Sequence, residues 1–173
     1  PEGVALWGRD IGGSNSEFCY GLVCDPQGNV YLTGSFRSST LYVDTVPLTI
    51  TSPGNQDGFI AKFDANGTVQ LAEKFGGTDV DIGSGIALGQ DADLFICGHY
   101  YSSNFNLNGT TLPAPESSDW FIAKLDTLGA VAWIRTFGGP SAELGSHLAL
   151  APDGGIYWTG SGASDTVDFD GEQ

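Results

Sequence analysis

Three blocks of this sequence recur in one register, and that repetition limits the chain to a repeat architecture. Trp7-Gly-Arg-Asp-Ile-Gly-Gly13 superposes on Leu71-Ala-Glu-Lys-Phe-Gly-Gly77 and on Trp133-Ile-Arg-Thr-Phe-Gly-Gly139, at offsets of 64 and 62 residues. The same offsets align Gly28-Asn-Val-Tyr-Leu-Thr-Gly34 with Ala92-Asp-Leu-Phe-Ile-Cys-Gly98 and Gly154-Gly-Ile-Tyr-Trp-Thr-Gly160. Asp57-Gly-Phe-Ile-Ala-Lys-Phe-Asp64 likewise matches Asp119-Trp-Phe-Ile-Ala-Lys-Leu-Asp126. Periods of this length mark stacked supersecondary units.

Each unit reads as strands. An inner strand (Tyr20–Cys24, Gly85–Leu88, His147–Leu150) precedes a tight turn such as Pro26-Gln-Gly-Asn29 or Pro152-Asp-Gly-Gly155. Gly and Asn favour such reversals because they tolerate positive φ. The second strand is Val30–Phe36, Leu94–Tyr100 or Ile156–Ser161, and the third is Phe59–Phe63 or Phe121–Leu125. A further turn leads to the fourth, Val69–Phe75 or Val131–Phe137. The variable segment between the second and third strands contains Leu41–Ile50 or Phe105–Leu112 and has room for a small hairpin. Four strands per period without helical periodicity point to an all-β fold, a β-propeller fragment of about two and a half four-stranded blades. The apolar runs are nearly continuous, as expected of a sheet buried on both faces.

The expected division has residues 1–13 as an outer strand completing a preceding blade and 14–77 as blade one. Residues 78–139 form blade two and 140–173 the first half of blade three, all within one larger propeller. Because rings close with at least about four blades, the polypeptide is expected to continue beyond this stretch.

Composition fits that reading and removes other classes. Gly numbers 26, charged residues are 16%, and hydrophobic residues are 40%, which suits many short strands joined by turns. The net charge is −15, with 6 basic residues. Nucleic-acid binding is not expected, because phosphate backbones need Lys and Arg to neutralise them. Membrane insertion is not expected either, since no apolar run approaches the length needed to cross a bilayer. Cys19, Cys24 and Cys97 form no C-x-x-C, and they read as small buried hydrophobes.

The blocks resemble the bacterial β-propeller repeat known as SBBP, through Asp25-Pro-Gln-Gly-Asn-Val-Tyr-Leu-Thr-Gly34, Asp57–Lys62 and Asp119–Lys124. The second unit departs from the pattern, with Asp91-Ala-Asp93 for the Gly-Asn turn and Leu71 for Trp. The resemblance implies a large secreted or surface-displayed bacterial protein, with no catalytic residues to carry over. It leads to the expectation of a non-enzymatic adhesion or interaction scaffold without a cofactor. A lectin-like propeller and a propeller belonging to an extracellular enzyme are the alternatives. Expected partners are the remaining blades of the same propeller and another protein or a glycan.

Several residues invite chemistry. Glu17, Asp81 and Glu143 recur and read either as a ring of Ca²⁺-binding carboxylates or as blade-to-blade hydrogen-bonding devices. Asp57 with Lys62, and Asp119 with Lys124, read as structural ion pairs or hydrogen-bond devices, since catalysis seldom repeats one constellation around a ring. No catalytic or metal-ligating set emerges. Asn66-Gly-Thr68 and Asn108-Gly-Thr110 fit the N-glycosylation sequon as well as they fit turns. The repeat breaks at His99, Tyr100 and Tyr101, where unit one has Ser35, Phe36 and Arg37, and at Trp120, where unit one has Gly58. These four are the candidate ligand-binding residues, as aromatics suited to sugar stacking or a protein hot spot.

Overall fold

A computed structural model describes residues 3–49, 55–91 and 93–169. Ile50 and Ala92, which belong to segments read above, lie outside the described residues. The chain is all-β among the described residues. Its strands in order are β1 (Ile11–Gly12), β2 (Glu17–Cys24), β3 (Val30–Phe36), β4 (Thr40–Val43), β5 (Val46–Thr49), β6 (Asp57–Phe63), β7 (Val69–Gly76) and β8 (Asp81–Leu88). They continue with β9 (Leu94–Tyr100), β10 (Asn106–Leu107), β11 (Thr110–Thr111), β12 (Asp119–Leu125), β13 (Val131–Gly138), β14 (Glu143–Leu150), β15 (Ile156–Gly162) and β16 (Asp168–Phe169).

Strands β2-β3-β6-β7 form one antiparallel four-stranded blade and β8-β9-β12-β13 the next, with β14-β15 beginning a third. This is the propeller arrangement expected from the repeat. The turns close as their residue types require. In the first, Asp25 Oδ1 accepts from the amides of Gln27 and Asn29 at 3.0 and 2.9 Å, while Gly28 takes φ +85°. Asp64 and Asp126 use the same carboxylate bracket on their own turns.

The inner strands are longer than the sequence suggested, because each starts at the recurring acid. A bulge at Cys19/Gly21, Gly83/Gly85 and Gly145/His147 lets the glycine-rich stretch stay paired.

The variable segments carry hairpins, and their pairing is the main addition to the sequence reading. Hairpin β4-β5 of blade one pairs with β1, and β10-β11 of blade two pairs with β7 of blade one. Strand β16, from the third unit, pairs with β13 of blade two. Each unit thus extends the outer edge of the blade before it, which covers part of an otherwise open strand edge.

The main core lies between blades. Tyr31, Ile60, Leu71 and Phe75 of blade one pack with Ile86, Leu94, Ile96, Tyr100, Phe105, Leu107 and Phe121 of blade two. A second cluster holds Leu32, Phe36, Phe59 and Phe63 against the hairpin residues Leu41, Val43 and Leu48, with Trp7 and Ile11 packed on it.

The cysteine reading needs correction. Cys97 is buried, and burial pushes its thiol up to about 12, but Cys19 and Cys24 are exposed. Both exposed cysteines sit on β2. Cys24 takes the repeat position of Leu88, which packs against the core between the two blades.

Candidate functional site

The recurring acids build a clasp between consecutive blades. Asp81 is fully buried, and its Oδ2 accepts from the Gly77 amide at 2.8 Å and the Ser102 hydroxyl at 2.6 Å. Its Oδ1 accepts from the amides of Tyr101 at 3.2 Å and Ser102 at 3.3 Å. The carboxylate therefore joins the Gly-Gly corner that ends blade one to the end of the second strand of blade two. The Ser102 hydroxyl also receives the Asp79 amide at 2.8 Å.

The clasp repeats. Glu17 accepts from Gly13 and Ser38, and Glu143 from Gly139 and Ser164, while Asn15 and Ser141 donate to the two serines. Of the two sequence readings for these acids, the blade-to-blade device is the one these bonds describe. No group of three acids, histidines or cysteines among the described residues is placed to hold a metal ion.

The pairing of Asp57 with Lys62 does not form. Residues five apart on a strand point to opposite faces, separated by about 17 Å of extended chain. Asp57 pairs with Lys74 of the neighbouring strand at 3.3 Å. Lys62 lies over the Tyr31 ring at 5.1 Å and reaches the Thr127 carbonyl of blade two at 3.4 Å. Lys124 lies over Phe95 and pairs with Asp93 at 2.7 Å, so it uses the turn acid that is peculiar to blade two.

The four aromatic candidates separate. Tyr100 points into the interblade core, fully buried against Phe105 with ring centroids 5.2 Å apart, and its hydroxyl donates to the Pro113 carbonyl at 3.1 Å. His99 and Trp120 are register partners on β9 and β12. Trp120 lies against glycine: a side chain added at Gly160 would meet its ring at 2.9 Å, and one at Gly145 at 3.2 Å. His99 is 9% exposed and hydrogen-bonds the backbone of Gly145, and Tyr101 meets it edge-on at 6.2 Å. His99, Trp120 and Tyr101 thus gather at the seam between blades two and three.

The repeat explains why Trp120 fits. In blade one, Gly58 leaves room for the Phe75 ring, which reaches Gly83 of the next blade. In blade two the tryptophan takes that volume, and Phe137 stacks on Trp158 instead, with centroids 4.7 Å apart.

One departure escaped the sequence reading although the alignment contains it. Thr136 stands where Lys74 stands in blade one, so Asp119 lacks the lysine that Asp57 has. Asp119 lies on the wall of a cleft of about 270 Å³ shared with Glu116, Thr136 and Asp168. Burial, then the charges of Glu143 and Glu116, push its carboxyl up to about 6; burial likewise raises Asp81 to about 6. A folded-state pKa above the unfolded one favours the protonated native form. The stability these carboxyls contribute is complete below their unfolded values near 3.8 and is lost as pH rises through about 6. Asp119→Asn is therefore expected to raise the melting temperature at mildly alkaline pH by a few degrees and to flatten its pH dependence. Thr136→Lys, which recreates the blade-one pair, should act in the same direction. Thermal melts across the pH range check both, and a lower melting temperature for Asp119→Asn under alkaline conditions would contradict the assignment.

No family model matches the chain. An uncharacterised WD repeat-containing protein of Acanthamoeba polyphaga mimivirus is 24% identical over 152 residues, covering 79% of this chain. The chain spans 11% of the length of that relative. This distant similarity agrees with a repeat-built, propeller-like protein.

Proposed function

We propose that this chain belongs to a β-propeller that acts as a non-enzymatic interaction scaffold, displayed at or outside the surface of a bacterial cell. The observation that carries the reading is the use made of the buried acids of the inner strands. Asp81 and Glu143 are both taken up by corner amides and serines, in the same clasp. What the chain presents outward is a rigid acidic rim, including Asp10, Asp44, Glu116 and Asp168 around the Gly-Gly corners. Such a surface suits a partner protein with a basic face, because complementary charge speeds and orients association. The WD repeat relative supports a propeller, and the resemblance to the SBBP repeat supports the bacterial, surface-displayed setting.

Further blades are the first partners in this reading. Leu22 is exposed at the repeat position of Ile86, which is buried beneath blade one. By that equivalence, another blade of the same kind covers the open face of β2.

The test is photo-crosslinking from Glu116 in the full-length protein within its own cells. A discrete protein adduct is expected, and it should be lost when Asp10, Asp44 and Asp168 are changed to Lys. A glycan adduct, or none, would overturn the scaffold reading. Protease treatment of intact cells tests the location: the protein should be cleaved without lysis, and protection would refute surface display.

A further inference from the structure

His99 occupies a position that is serine in both neighbouring units, Ser35 and Ser161. Its register partner Trp120 occupies a position that is glycine in blade one. The two departures therefore occur as a cross-strand pair, and both face blade three. The imidazole hydrogen-bonds the Gly145 backbone on β14, while its Nδ1 is buried with no partner. Beside it, the Trp120 indole Nε1–H is also buried and without a partner. The described junction between blades one and two has no counterpart: there, Ser35 receives the Gln56 side-chain amide.

We propose that the seam between blades two and three is a proton-sensitive joint, with His99 as its sensor. With the Gly145 bond made through Nε2, the neutral ring keeps an unprotonated Nδ1 inside the seam. A proton taken from water at Nδ1 would place a charged N–H there with no acceptor, next to the indole N–H that already lacks one. A buried charge without a partner is costly enough to open the contact in its place.

The surroundings leave this group undisputed. On β8 the facing residue is Ile82, on β12 Trp120, on β14 Gly145, and Tyr101 borders the ring on its own chain segment. Asp81 and Asp119 both register with Tyr100, one position along, which places them on the opposite face of the sheet. Glu143 is held by Gly139 and Ser164, and His147 is exposed. Burial lowers the His99 pKa from its ordinary value, and the Gly145 bond opposes that shift. A lowered folded-state value gives stability that is complete above the unfolded pKa and lost as pH falls through the folded one. This runs opposite to Asp81 and Asp119, so the effect must be read locally and not from global melting alone.

Amide hydrogen exchange on the protein, corrected for intrinsic pH dependence, tests the proposal at about pH 7.5 and about pH 5. Strands β14 and β15 should lose protection about tenfold relative to β2 and β3 at the lower pH. His99→Gln, or His99→Ser as in the neighbouring units, should abolish that loss. An unchanged loss in these variants, or equal protection in the unaltered protein at both pH values, would overturn the proposal. A second readout needs no variant: the His99 ring resonance should titrate together with seam opening, and titration in the closed state would equally overturn it.

Discussion

Gly98→Ala is expected to cost about 3 kcal/mol of stability, read as a lower urea midpoint with unchanged slope. The cause is steric and lies in the blade itself. The bulge in β8 carries the Ile82 carbonyl across the face of β9, where a methyl at Gly98 would collide with that oxygen. The same methyl would stand 2.9 Å from the Phe121 ring, which is fully buried and cannot withdraw. A backbone oxygen held by strand pairing has nowhere to go, so the strain must be taken up by the sheet. Gly34 meets the Phe18 carbonyl and the Phe59 ring in the same way, and Gly34→Ala should cost about as much. Gly12, with open space around it, is the control: Gly12→Ala should be close to neutral. At Gly109 the space is also open but φ is +86°, so alanine should cost about 1 kcal/mol from backbone strain alone. A neutral Gly98→Ala would mean that the close approach at the bulge is not a feature of the protein.

Asp81→Ala should be comparably damaging, by about 3 kcal/mol, for a different reason. It would leave the Gly77 and Ser102 amides and the Ser102 hydroxyl without their acceptor in a buried site, while the Tyr101 amide keeps the Val80 carbonyl at 3.0 Å. Unmade hydrogen bonds of buried donors cost more than the bonds themselves contribute. Ser102→Ala removes part of the same clasp, so the double variant should fall short of the sum of the singles by about 1 kcal/mol. Exchange of the corner amides at Gly77 and Asp79 should rise in each variant, because the clasp holds the end of blade one. Additive losses, with the corner still protected, would separate Asp81 from the blade junction.

Both predictions concern positions that the repeat had already marked. Superposing Gly-Gly corners, turns and Asp-to-Lys strands was enough to read four strands per unit, since each block keeps its pattern of small, apolar and turn residues. The second strand Val30–Phe36 was legible to the residue because a Gly-Asn turn delimits it. Inner strands were read short: Glu17 and its copies precede glycines that look like breakers, and only the bulge shows how such a stretch stays paired. An ion pair between Asp57 and Lys62 does not form: linear spacing says nothing about which neighbour lies across the sheet.

The aromatic departures of blade two were likewise visible as departures but not as positions. Tyr100 and His99 are adjacent in sequence, yet alternation along β9 sends one into the core beneath Phe105 and the other into the seam against Gly145. The lysine missing at Thr136 was in the alignment as well. Its consequence for Asp119 depends on burial beside Glu116 and Glu143, which no local pattern reports.

What the sequence determined by itself is therefore the unit: its period, its strands and turns, and the positions where one copy departs from the next. These follow from short-range chemistry, in which turn residues, side-chain alternation and apolar runs act within a few residues of one another. The joints were decided only in the tertiary structure. The hairpin pairing of β10 with β7, the carboxylate clasp at Asp81 and the placing of His99 at a seam all join residues from different units or strands. Packing and hydrogen-bond satisfaction in three dimensions select those partners, and both act between groups that linear order does not place side by side.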